Sequence, residues 1–176
     1  MKKLRIILPA VLLVLLVAGA LLVSTLPLIR THDDVIQVIR EDAQFTPNDD
    51  ITISYLGEYA SDGHALRWYI VQNQEHTLSY KAVDCQSLWG GWSYVTNIYD
   101  ASTYAPDIVH VVWNGSDICL MNNPDCKYLV YQNAAGQEST RMEFSTSNLP
   151  YIFPFQLANG TADFLDYNGN PPLLLM

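Results

Sequence analysis

From Ile6 to Ile29 the chain carries no ionisable side chain, and only Ser24 and Thr25 are polar across those 24 residues. Helices in water keep a polar face, whereas a bilayer core demands about 20 consecutive apolar residues. At about 1.5 Å per residue such a helix would extend roughly 36 Å, enough to cross a hydrocarbon core with some tilt. The pattern predicts a transmembrane signal-anchor over residues 6–29, behind a stub of residues 1–5. A cleaved signal peptide competes, with Ile6–Val17 as its apolar stretch and Ala18-Gly19-Ala20 as the cleavage site. Cleavage after Ala20 would leave Leu21–Ile29 as a greasy new terminus, which favours the retained anchor.

Beyond the run the period changes. Thr31 offers a cap, Asp33 and Asp34 place carboxylates in a first turn, and Val35, Ile36, Val38 and Ile39 follow at helical spacing. This predicts a juxtamembrane helix within residues 30–46, ending near Asp42. Thr46-Pro47-Asn48-Asp49-Asp50 then punctuates the chain ahead of a domain over residues 47–176.

Alternation of period two dominates that domain. Ile51–Ser61 and His64–Gln72 flank Asp62-Gly63, a two-residue hairpin signal. Counting outward pairs Ser61 with His64, Tyr59 with Leu66, Glu58 with Arg67 and Gly57 with Trp68. Opposite charges then face each other and an indole covers a glycine. The same count puts Ile53, Tyr55, Tyr59, Leu66, Trp68 and Ile70 on one core face. Thr77–Val83 extends the meander with Leu78, Tyr80 and Ala82 inward, Gln86–Gly91 interrupts it, and Trp92–Tyr99 resumes it. Asn114-Gly115 marks a second hairpin between Ile108–Trp113 and Ser116–Met121. Lys127–Gln132, Ser139–Ser145 and Asp163–Tyr167 add strands, while the prolines of Leu149–Phe155 suit an edge strand or packed loop. About eight to ten short strands with regular turns predict a mainly β fold, an antiparallel sandwich or barrel-like domain.

Charge sets the direction of export. Lys2, Lys3 and Arg5 precede the apolar run and no acidic residue occurs before Asp33, so the N-terminus belongs in the cytoplasm and the domain outside. From Arg30 onward six basic residues stand against all 18 acidic ones, a formal charge of −12. Such a domain repels phosphate backbones, which disfavours nucleic acid as a partner. All 20 aromatic residues also lie there, from Phe45 on, which favours strands. The expected address is the cell membrane, single-pass, or the exterior if the chain is cut near Ala20.

Candidate chemistry is sparse. Cys119 and Cys126 flank the Asn123-Pro124 turn, and an oxidising exterior would let them close a disulfide, leaving Cys85 unpaired. The Asn114-Gly115 register places His110 opposite Cys119, a pairing that activates thiolates, with Asp117 on the same face two residues along. His32, His64, His76 and His110 lack ligand spacing, so no metal is expected. Asp166-Tyr167-Asn168-Gly169-Asn170 has oxygens at alternate positions like the start of a calcium loop, but its glycine is misplaced and a turn explains it better. Asn114-Gly115-Ser116 and Asn159-Gly160-Thr161 match the glycosylation pattern, relevant in a eukaryotic source. No Gly-x-Ser-x-Gly, His-Glu-x-x-His or phosphate-cradling glycine loop occurs, and no cofactor is called for.

Trp89-Gly90-Gly91-Trp92, followed by Tyr94, is the best binding candidate: rigid amphipathic rings on flexible glycines could stack on sugars or a peptide. Inward-facing indoles with a glycine bulge are the alternative. The sequence thus points to a membrane-anchored, extracytoplasmic β-rich domain, a non-catalytic binding or assembly module with a cell-surface glycan or protein partner. Two other readings stand beside it. One is a small tethered enzyme, either a glycan-acting carboxylate hydrolase or a thiol enzyme using Cys119 and His110. The other is an accessory domain docking onto another membrane protein through the helix at Asp33–Arg40.

Overall fold

The computed structural model describes residues 28–74, 76–155 and 161–172, together with Val11, Leu13, Val14 and Val17. The anchor expected over residues 6–29, and the cleavage site near Ala20, lie for the most part outside the described residues. Val11, Leu13, Val14 and Val17 are helical and each more than half exposed. Among the described residues no helix is long and apolar enough to cross a membrane. The C-terminal end of the expected anchor needs correction. Leu28–Ile29 form a strand (β1) with Ile29 fully buried, so sheet pairing takes these two residues.

The helix follows its local signals. α1 (His32–Asp42) starts at a capping box in which the Thr31 hydroxyl accepts from the Asp34 N–H, while Asp34 Oδ2 accepts from the Thr31 N–H at 2.8 Å. It buries Val35 and Ile39 completely, each such burial stabilising by about 1.5–3 kcal/mol. Its C-terminal end is tied down by Arg40, which donates to the Ile51 carbonyl, and by Asp42, 3.8 Å from Lys81 Nζ.

Twelve strands among the described residues form three antiparallel sheets. The first combines β1 with β2 (Thr52–Ser61), β3 (His64–Gln72), β4 (Thr77–Ser87) and β5 (Ser93–Asp100), in the order β1-β5-β4-β3-β2. The second contains β6 (Ser102–Ala105), β7 (Ile108–Trp113), β8 (Ser116–Met121) and β11 (Tyr151–Phe155), ordered β11-β8-β7-β6. The third runs β10 (Glu138–Glu143), β9 (Tyr128–Gln132), β12 (Thr161–Leu165). Both tight hairpins form with the expected registers: Asp62 and Asn114 take left-handed φ of 51° and 48°, each followed by a left-handed glycine. β11 is an edge strand, as its prolines require.

Three apolar clusters arrange the layers. The first packs β3 and β4 residues Leu66, Trp68, Ile70, Tyr80 and Ala82 against Val109, Val111, Trp113, Ile118 and Leu120 of the second sheet. On the other side of the first sheet, Tyr69, Val71, Val83 and Cys85 meet Val35 and Ile39 of α1. A third cluster joins Ile108, Cys119, Met121 and Phe155 of the second sheet to Leu129 and Phe164 of the third. The first two sheets also meet at their edges, where Gly57 of β2 abuts Ile152 of β11.

One core face was misassigned by alternation. A bulge between Tyr55 and Gly57 shifts the register of β2, so Ile53 packs on the α1 side and Tyr55 lies against His32 of α1, whereas Tyr59 faces the second sheet. Leu78, expected inward, is about half exposed at the start of β4.

Candidate functional site

The Leu88–Trp92 connection builds an aromatic edge on the first sheet. Gly90 and Gly91 adopt φ of 72° and 78°, a left-handed pair that glycine takes without strain, and the Leu88 N–H donates to the Trp92 carbonyl at 2.7 Å. This tight turn pushes Trp89 outward to 88% exposure and leaves Trp92 41% exposed. Both indoles face solvent rather than the core. Tyr94, the third expected member, is half-buried and donates its hydroxyl to Gln86 Oε1.

Pairing of β1 with β5 adds neighbours that sequence inspection missed. Leu28 lies opposite Tyr94 and Ile29 opposite Ser93, so the apolar run joins the sheet two residues from Trp92. The Arg30 guanidinium then stands over the Trp92 ring at 5.5 Å, within cation–π range. Leu28 and Leu88 are each about one-third exposed. The edge therefore carries two indoles, two aliphatic side chains and one cation. The missed signal was a two-residue strand, just ahead of Arg30, hidden in the tail of a run that reads as continuous helix.

His110 and Cys119 are cross-strand partners, as expected, yet they do not form a thiol–imidazole pair. His110 Nδ1 bonds Asp117 Oδ1 at 2.5 Å, its ring stacks on Tyr104 with centroids 4.1 Å apart, and the Tyr104 hydroxyl donates to Asp117 Oδ2 at 3.1 Å. Asp117 reaches diagonally across the hairpin, and Tyr104 arrives on β6, which the sequence pattern did not reveal. Cys119 is fully buried, and burial holds its proton well above the ordinary thiol range. That thiol is neither ionised nor reachable.

The disulfide expected between Cys119 and Cys126 is not formed. Cys85, Cys119 and Cys126 are all free and buried, and Cys126 Sγ donates to the Tyr128 carbonyl at 3.7 Å. The Asn123-Pro124 turn does bring Cys119 and Cys126 into one apolar cluster.

A shallow cleft of about 530 Å³ opens among the loops beside the third sheet, lined by Asp125, Lys127, Thr146, Asp166 and Tyr167. Asp166 and Lys127 in its lining are already engaged. Asp166 Oδ1 accepts the N–H groups of Asn168 and Asn170 at 2.7 and 2.8 Å, which hold its carboxyl below the usual range. Lys127 Nζ bonds Glu143 at 3.0 Å and the Phe144 carbonyl at 3.2 Å. A glycosidase sets a protonated acid beside an ionised carboxylate, and Asp166, with its carboxyl held low, does not supply the acid. Its segment is a turn, as the misplaced glycine implied. Among the described residues no three His, Cys, Asp or Glu side chains converge as a metal site.

In comparisons with known proteins, no family model, no curated protein and no solved structure matches the chain.

Proposed function

We propose that this chain is a single-pass, membrane-anchored module, N-terminus in the cytoplasm, holding a β-rich binding or assembly domain outside the membrane. The first two sheets, curled together where Gly57 meets Ile152, would make a half-closed barrel that presents the edge at its far side. One observation carries the binding role: Trp89 and Trp92 stand exposed on a tight glycine turn, where large rings ordinarily seek cover. The address is supported by the apolar run from Ile6, the cations in front of it and the −12 charge behind it.

Two alternatives receive less support. The apolar residues of α1 are spent inside the domain, with Val35 and Ile39 fully buried, which argues against docking through that helix. A thiol enzyme would need an accessible thiolate, and Cys119 offers a buried, protonated thiol. In the test, intact cells expressing the full chain are treated with external protease, and their membranes are washed in alkaline carbonate. The domain should be digested from outside and the remnant should stay with the membrane. Release by carbonate, or protection of the domain in intact cells, would overturn the proposal.

A further inference from the structure

Resting on the membrane-anchored reading above, we propose that the partner of the Trp89–Trp92 edge is the headgroup layer of the bilayer that holds the chain. Four observations favour this occupant over a glycan or a peptide.

The first is position. β1 is the edge strand beside β5 in the first sheet, and its two residues, Leu28 and Ile29, are the last of the 24-residue apolar run. Leu28 pairs with Tyr94, two residues from Trp92, so at about 3.3 Å per residue the run meets β5 roughly 7 Å along the chain from the Trp92 backbone. An edge strand fed by a transmembrane segment lies against the interface, and the sheet edge lies there with it.

The second is composition. Indole rings prefer the layer between hydrocarbon and water, where the ring is apolar and its N–H meets headgroup oxygens. Trp89 and Trp92 are accompanied by Leu28 and Leu88, which suit the acyl boundary, and by Arg30, whose guanidinium can reach lipid phosphate from its place over Trp92.

The third is what the turn does not offer. A sugar site fixes its ligand with a few placed polar side chains around the stacking ring. Leu88-Trp89-Gly90-Gly91-Trp92 carries none besides the indole N–H groups.

The fourth is charge. A domain of −12 is repelled by anionic surfaces, so the layer that suits this edge is zwitterionic, with Arg30 as the local cation.

The test uses the full chain reconstituted into phosphatidylcholine vesicles whose acyl chains carry bromine near the headgroup, read by tryptophan emission. Trp68 and Trp113 are buried in the first cluster, so quenching by lipid bromine reports Trp89 and Trp92. The expected result is a blue shift and strong quenching in the native chain, lost in the Trp89→Phe/Trp92→Phe variant. Replacing half the lipid with phosphatidylglycerol should weaken the quenching. If the chain floats with vesicles but its exposed indoles are quenched by aqueous iodide and not by lipid bromine, this inference is overturned and the membrane-anchored reading survives. If the chain does not float with vesicles at all, the membrane-anchored reading falls, and this inference with it.

Discussion

Gly57 stands opposite Trp68 on the β2–β3 ladder, and a Cβ built on it would come within 2.8 Å of Ile152 Cδ1 on the neighbouring sheet. The glycine sits directly after the bulge with φ of 151°, a conformation L side chains rarely adopt. Gly57→Ala should therefore destabilise the domain by about 1–3 kcal/mol in urea unfolding. Ile152→Val removes the clashing methyl and leaves the backbone strain. The double variant should recover only part of the loss, and full recovery would show that crowding alone excludes a side chain there.

This junction also marks where sequence reasoning stops. The Asp62-Gly63 and Asn114-Gly115 turns dictate their registers locally, so the Glu58–Arg67 and His110–Cys119 partners could be counted from the turn. α1 was equally legible, because Thr31 and Asp34 signal its start within one turn. The bulge at Tyr55–Gly57 leaves no trace in the apolar pattern, since both faces of β3 are buried and either register covers it. β1 was hidden because two residues of strand look no different from the end of an apolar helix. The exposure of Trp89 was equally undecidable, as the glycines beside it erase periodicity. The Tyr104–His110–Asp117 cluster depends on β6 returning alongside β7, a non-local event.

The cap on α1 is testable by pH. The backbone N–H groups of Arg30 and Thr31, with the Thr31 hydroxyl, hold the Asp34 carboxyl below its ordinary value of 3.8. A depressed folded pKa contributes stability that is present above the unfolded value and is lost as pH falls through the folded one. Stability should therefore decline below about pH 4, and Asp34→Asn should flatten that acid limb in thermal melts. Thr31→Ala should cost about 0.5–2 kcal/mol at neutral pH. An unchanged acid limb in Asp34→Asn would show that the cap does not hold in solution.

The aromatic edge should be separable from folding. Trp89 is 88% exposed, so Trp89→Ala should change unfolding free energy by less than about 0.5 kcal/mol. Trp92 is partly covered and carries Arg30 on its face, so Trp92→Ala should cost about 0.5–1 kcal/mol more. Arg30→Gln should reproduce that difference in the native background and have no effect in the Trp92→Ala background. A double-mutant cycle reads this directly, and additive losses would mean that the ring and the guanidinium do not interact.

The buried thiols predict an alkaline weakness. Burial pushes Cys85 and Cys126 up to about 11 from an ordinary 9.0, and pushes Cys119 higher still. A raised folded pKa means that the folded chain binds the proton more tightly than the unfolded one. The resulting stability is complete below about pH 9 and is lost as pH rises through the folded values. For Cys85 and Cys126 the window is therefore about pH 9 to 11, with a loss on the order of 1–3 kcal/mol per thiol. Cys85→Ala should shrink the slope of unfolding free energy against pH across that window, whatever its packing cost at pH 7. The same burial predicts that iodoacetamide labels none of the three cysteines in the native chain at pH 7.5 and all three in denaturant. Rapid native labelling of Cys119 would place a thiolate beside His110 and reopen the thiol-enzyme reading.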